Sequence, residues 1–557
     1  MDPLKQIAAL LSDPSPRKRI AAAVVLGELG VKDAGVVSQL VALAKDPVDA
    51  YAEAGVEALG RLKALKALPV LFDALSRGRD VREKAKEAIA ALGEDALPEL
   101  RKRLEDAPPE VRAELSALLP SVGGRQSFEL ALEGLREQSW DAVNRVALSV
   151  RHEARAASEA ERKVMRTQVE KFLAKKKTAE DETALRGALK ILGYLELPDA
   201  QDTLLGWLGV KQPTAVRVEA VTSLRFALAK GPTRKALRRV MELLLDADAE
   251  VSRAARDTLT VLNIGAELAG ELAELCGSPQ AEVALWAITH LGALAAGRGP
   301  AERAGEAGVG ARAKPSGAAK LAAKTLLPVA AGADRARAEA AARVLAALDG
   351  GAALLAEALA MAEAEPGAQV VAEQLTPLAS KLSKKELQGL LDAGTKNLGK
   401  ALAVARRQLE PVRAADPGGW AEALRDKRKA LEKKDPARAE LIAELLGRSA
   451  VATAADRYAM AARQFLHQSL DPHPRARQRD PALAELEKLH AEGFPVAATV
   501  AKDKQLSDEA RYYVGVHFAE KVQFDLKNVG AELLEGLAGG KGKLATAAKN
   551  KLELLEL

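Results

Sequence analysis

A short motif recurs along this chain at a nearly constant interval, and that interval constrains the fold more than any other feature. Asp13-Pro14 is followed 33 residues later by Asp46-Pro47, and glycine returns at Gly27, Gly60 and Gly93 with the same spacing. Val48 and Val81 keep the interval too, and AVVLGEL at 23–29 aligns with VEALGRL at 56–62. Later copies read DAPPEVRAELSALLPSVG from Asp106, PTAVRVEAVTSLRFAL from Pro213, DADAEVSRAARDTLTVL from Asp246 and SPQAEVALWAITHLGAL from Ser278. Val216, Val251 and Val283 lie 35 and 32 residues apart. A period of roughly 30–35 residues with apolar positions at helical spacing describes stacked helix pairs. One such pair cannot bury its own apolar face, so each unit must stack on its neighbours.

Within the first unit the spacing predicts a helix A over Pro3–Leu11, then Ser15 as N-cap and Pro16 as the first residue of helix B. Helix B is expected to run to about Leu29, with Gly30 as its stop. Composition agrees: aromatic residues make up only 3%, and Ala, Leu, Glu, Lys and Arg, the strong helix formers, dominate. The expected fold class is all-α, an α-α superhelix of stacked helix pairs with an irregular helical C-terminal region. At 557 residues the chain exceeds one ordinary core.

The single cysteine, Cys276, excludes an internal disulfide. The start, MDPLKQIAALLSDP, lacks a basic stretch followed by a long apolar run, and no apolar run approaches the roughly 20 residues of a membrane span. A soluble, cytoplasmic protein is expected. The Ala/Arg/Gly-rich usage matches that of GC-rich bacterial genomes.

The units resemble HEAT and HEAT-like repeats, in which an Asp is followed five residues on by Val, then Arg, then small residues and Leu-Gly. Asp106, Val111 and Arg112 match this pattern. Asp13 and Arg19 keep the spacing with Lys18 in place of Val, and Asp246 and Val251 match with Ser252 for Arg, which moves to Arg253. The second unit departs most, with Tyr51 and Ala52 after Asp46. The resemblance covers about 1–125 and 180–295. It implies a scaffold that binds other proteins, since a minority of such repeats occur in enzymes, and it implies that the Asp–Arg spacing ties one unit to the next.

Along the chain, 1–137 reads as about four repeats, 138–179 as an irregular helical insert with a basic helix, and 180–296 as repeats again. Residues 297–320 read as a Gly/Ala-rich linker or loop, 321–415 as degenerate Ala-rich repeats, and 416–557 as a C-terminal helical region off the 33-residue register.

No pattern of residues carries catalysis. The six histidines form no metal-ligand spacing. GLAGGKGKL from Gly536 has Leu544 where a phosphate loop needs Ser or Thr, and GVGARA from Gly308 follows no strand. Cys276 reads as a small packed hydrophobe. Trp140-Asp141-x-Val-Asn144 resembles the Trp-Asp-x-Val-Asp of HEAT-like alkylpurine DNA glycosylases, with Asn144 replacing the final acid, which makes that activity a remote third reading. No cofactor and no metal is expected.

Two partner classes follow from charge. The net charge is only +5, from 82 Lys+Arg against 77 Asp+Glu, so no global field points to nucleic acid. The first reading is a non-enzymatic scaffold or adaptor that binds protein through its B helices. Its candidate residues are Arg17, Arg19, Arg82, Arg112, Arg217 and Arg253 at the starts of B helices. The alternative is nucleic-acid binding through the basic segments 151–177 and 234–239, with Arg162, Lys163, Arg166, Lys175, Lys176 and Lys177 as phosphate contacts. Membrane insertion is not expected.

Overall fold

The computed structural model describes residues 3–136, 139–229, 231–262, 264–297 and 317–556. Every regular element among them is an α- or 3-10 helix. The described residues divide into two compact units, 3–268 and 269–556.

The first unit opens as the sequence predicts. Its first helix runs Pro3–Ala9 and closes in a 3-10 turn, Leu10–Ser12. Pro16 begins the second helix, Pro16–Glu28, and Gly30 follows with φ +65°, the left-handed stop that a side chain disfavours. The cap differs from expectation. Ser15 makes no side-chain cap; instead Asp13 Oδ1 accepts the Ser15 amide at 2.8 Å. The aspartate of the repeat thus shapes the turn that launches helix B.

The B helices form one layer. Pro16–Glu28 lies against Asp49–Arg61, then come Arg79–Leu92, Pro109–Val122, Trp140–Ala156, Glu182–Tyr194, Thr214–Leu228 and Ala249–Val261, each packed on the one before. The A helices line a second layer. Residues 138–179 lose the 33-residue register, yet their helices fill the same two layers. Trp140–Ala156 stands between two B helices, and Glu159–Leu173 packs as the A partner of Glu182–Tyr194. Ser158 and Glu161 start that A helix with a reciprocal capping box.

Glycine sets how closely B helices approach. A Cβ on Gly60 would stand 2.6 Å from the Ala88 Cα of the next B helix, and one on Gly27 would stand 3.1 Å from the Ala58 Cα. Gly93, the third member of the same row, does something else. It sits at φ +65° in open space and ends its helix. Identical spacing thus covers two physical roles, close approach and helix arrest.

In the second unit, Ala281–Ala295, Arg335–Ala347, Glu365–Leu375 and Leu402–Ala415 continue as B helices with A partners. Of the expected linker, 317–320 form the first turn of Gly317–Ala330 and 298–316, with GVGARA, lie outside the described residues. From Gly419 onward most helices pack on their chain neighbours, while Pro481–Ala491 packs on Ala454–His467 and Val496–Lys502 on Phe524–Ala538. A core of Tyr458, Phe465, Leu486, Val514, Phe518 and Leu533 holds this end together. The basic glycine turn after Gly536 joins Phe524–Ala538 to Lys543–Glu556, with Gly542 at φ +114°.

Cys276 is 1% exposed, and burial pushes its thiol pKa up to about 12. A thiolate is the reactive form. Native protein should therefore resist a thiol reagent at pH 8 and react stoichiometrically once unfolded; rapid native labelling would show that this helix pair opens readily.

Candidate functional site

The cations at B-helix starts are held to the scaffold in different degrees. Arg19 donates from Nε to the Leu11 carbonyl at 3.1 Å and from its guanidinium to Asp46 Oδ2 of the next unit at 3.3 Å, while its plane lies 4.2 Å from the centre of the Tyr51 ring. Arg217 repeats the arrangement with more burial. It donates to the Leu208 carbonyl at 3.4 Å and through both terminal nitrogens to the Asp246 carboxylate. Burial would raise the Asp246 pKa, but the hydrogen bonds from Arg217 and the Asp248 amide outweigh it and hold the group below its ordinary value. Arg112 donates to the Ala107 carbonyl at 3.1 Å. Arg82 is half-buried, and Arg17 and Arg253 are exposed. The six do not form one surface: three of them bind loops.

The basic A-layer cations are also largely engaged. Arg162 donates to the Leu195 carbonyl at 3.0 Å, and Lys163 pairs with Glu159 at 2.6 Å. Arg166 lies 3.8 Å from Glu170 and 3.5 Å from Asp199, Lys175 meets Glu133 at 2.5 Å, and Lys176 faces Glu180 at 3.8 Å. Lys177 is exposed. At 234–239, Lys235 pairs with Asp202 at 2.9 Å and Arg239 with Glu242 at 2.6 Å, around a shallow cleft shared with Arg234 and Arg238. A phosphate backbone would meet carboxylates at nearly every step.

A different cluster stands out, on three successive B helices. Trp140 opens the first, where Ser139 Oγ accepts the Ala142 amide at 3.3 Å. Over its ring lie the Arg186 guanidinium at 3.9 Å and the Lys190 ammonium at 5.0 Å, both from the second helix. Arg151 of the first helix sits 4.8 Å from the Tyr194 ring and 5.3 Å from the Phe226 ring, and Arg225 lies 4.7 Å from Phe226. Tyr194 and Phe226 meet edge to face at 5.1 Å. Rings placed this way fix the planes of the cations above them.

At the centre is Glu219, 8% exposed. Burial raises its pKa, opposed by the charges of Lys190 and Arg186. Among the described residues none of Arg151, Arg186, Lys190 and Arg225 forms an ion pair, and Glu219 has no hydrogen-bond partner. Cations on earlier B helices include paired ones: Arg61 meets Glu57 at 2.6 Å and Lys86 meets Glu83 at 3.0 Å, while Arg145, on the first helix of the cluster, pairs with Glu114 at 3.0 Å.

The sequence reading singled out Trp140 and counted Arg151 but missed Arg186, Lys190, Glu219, Tyr194 and Arg225. One signal was available. Arg186 and Lys190 are like charges four residues apart, an arrangement that destabilises a helix unless something else uses it. Asp141 of the Trp-Asp motif is exposed, and Asn144 is half-buried.

Among the described residues, no group of His, Cys, Asp and Glu could hold a metal ion. His517 donates from Nε2 to Glu487 at 2.6 Å, His467 meets Glu440 at 2.5 Å, and His290 stacks on Trp286 at 4.1 Å. No described helix is long and apolar enough to cross a membrane.

A family model for HEAT repeats matches residues 4–90. A search of curated proteins finds no match. Among solved structures, human deoxyhypusine hydroxylase is similar at 18% identity over 46% of this chain and 94% of that one, with TM-score 0.19. Importin beta aligns at 14% identity over 99% of this chain and 75% of its own, with TM-score 0.28. Kap121p bound to Pho4p aligns at 14% over 99% and 69%, with TM-score 0.39. The repeat match agrees with the helix pairs seen there: residues 4–90 match a model for HEAT repeats, and the described residues form an all-α fold of packed helix pairs.

Proposed function

We propose that this protein is a non-enzymatic scaffold or adaptor that binds a protein partner in the cytoplasm through its B helices. The observation that carries this reading is the cluster at Trp140, Arg151, Arg186, Lys190 and Arg225. Its cations are oriented by rings and lack the carboxylate partners that Arg61 and Lys86 on earlier B helices have. Unpaired, oriented guanidinium groups favour recognition of a partner's anions.

Nucleic-acid binding through 151–177 and 234–239 is the competing reading, and the ion pairs along those segments weigh against it. Glycosylase chemistry at Asp141 comes third. The experiment is affinity capture with the full chain. One stoichiometric protein, lost when Arg61, Arg145 and Arg186 are reversed to Glu, supports the scaffold. Recovery of nucleic acid instead, with affinity falling steeply in salt, overturns it. Release of alkylated bases by wild type and not by Asp141→Ala would also overturn it.

A further inference from the structure

We propose that the cluster centred on Glu219 is a docking site for an extended acidic peptide segment with carboxylates about three residues apart; this rests on the protein-scaffold reading above.

Four observations lead there. First, the site is short of negative charge: Arg151, Arg186, Lys190 and Arg225 make no ion pair, Lys190 and Arg186 bear on the one buried carboxylate, Glu219, and Arg61 and Lys86 on earlier B helices are paired. Second, the rings are already occupied. Arg186, Lys190, Arg151 and Arg225 lie over Trp140, Tyr194 and Phe226, so the rings orient guanidinium forks and do not offer bare faces to nucleobases. Bidentate donation to a carboxylate suits such forks.

Third, the cations sit on three successive helices. Packed helix axes lie roughly 8–10 Å apart, and an extended chain advances about 3.3–3.6 Å per residue, so one helix spacing matches about three residues. Carboxylates at every third position meet successive helices; contiguous ones cannot. Fourth, Glu219 is 8% exposed and its carboxylate lacks a donor among the described residues. A peptide supplies backbone N–H donors for Glu219 beside its acidic side chains, and a phosphodiester backbone has no such donors.

The test is fluorescence anisotropy with the full chain and three labelled probes. These are a peptide of about nine residues with Glu at every third position in a Gly/Ser background, its isomer with the Glu residues contiguous, and single-stranded DNA of equal charge. One charge-assisted hydrogen bond is worth roughly tenfold in affinity and upward. The spaced peptide should bind at least tenfold tighter than its isomer and tighter than the DNA. Arg186→Gln with Lys190→Gln should weaken it at least tenfold with an unchanged circular dichroism spectrum. If that double variant fails to fold, Arg225→Gln, an exposed change, should still weaken the spaced peptide severalfold. Equal binding of the two peptides, tighter binding of the DNA, or indifference to these substitutions overturns the proposal. If capture still yields a partner that depends on B-helix charge, the peptide-site inference fails and the scaffold reading stands.

Discussion

Arg217→Ala should destabilise the first unit by about 3–5 kcal/mol, the cost of leaving one member of a buried ion pair alone. Arg217 is 5% exposed, and the two side chains are 6% and 10% exposed where they meet. Removing the guanidinium strands the Asp246 carboxylate against the turn it organises, where its Oδ1 also accepts the Asp248 amide at 3.0 Å. The Leu208 carbonyl loses its donor as well. Because stacked repeats depend on nearest neighbours, the loss should appear as an earlier denaturant transition of helices 201–261. Hydrogen exchange should show it there first and leave the second unit unchanged. Arg217→Met, which keeps volume without the charge, should be no better, since Asp246 stays unpaired; Arg217→Met with Asp246→Leu should recover much of the loss.

The same pair fixes a pH dependence. Asp246 has a folded pKa below its ordinary value, so its contribution is present above the unfolded pKa of about 3.9 and is lost as pH falls through the folded value. Asp456 behaves alike in the second unit. Burial would raise it, but Arg425, which donates to it at 2.6 Å, and Thr453 hold it low. Acid unfolding should therefore begin below about pH 4 in both units. In the Arg217→Met, Asp246→Leu variant the acid transition of the first unit should be shallower; an unchanged acid limb would remove Asp246 from the account.

Gly60→Val should cost about 3 kcal/mol, near the top of the usual range for overpacking. The neighbour that a Cβ meets is the Ala88 Cα, 2.6 Å away, and backbone cannot step aside as a flexible side chain can. Gly60→Ala separates the terms. Alanine gains up to about 1 kcal/mol of helix propensity over glycine, so it should be less damaging than valine but still destabilising. Gly206→Ala, where nothing stands within 4 Å, should be neutral or stabilising. Thermal unfolding of the three variants checks the order; a stabilising Gly60→Ala would mean that the helices separate at little cost.

The motif at 11–30 shows how sequence and structure divide the information. The interval of 33, the Pro16 start, the Gly30 stop and the Asp13–Arg19 spacing were all legible, because they are set by local backbone chemistry and by a period that only stacked helix pairs satisfy. Arg17-Lys18-Arg19 was readable as part of helix B. Its inward and outward members were not: Arg19 turns to Leu11 and Asp46, Lys18 reaches Asp13 at 3.2 Å, and Arg17 is exposed. Gly93 looked like a copy of Gly27 and Gly60 because spacing records position and not contact.

The candidate site was hidden for a related reason. Trp140 and Arg186 are 46 residues apart, since a long A helix and a short turn intervene between their B helices. Once the register changes, no interval in the sequence says which rungs are adjacent. Local periodicity and capping by themselves determined that this chain is an all-α stack of helix pairs. Only packing decided which cations are consumed by carbonyls and carboxylates of the neighbouring unit and which remain over aromatic rings without an acid, because charge pairing between units depends on distances that no single helix contains.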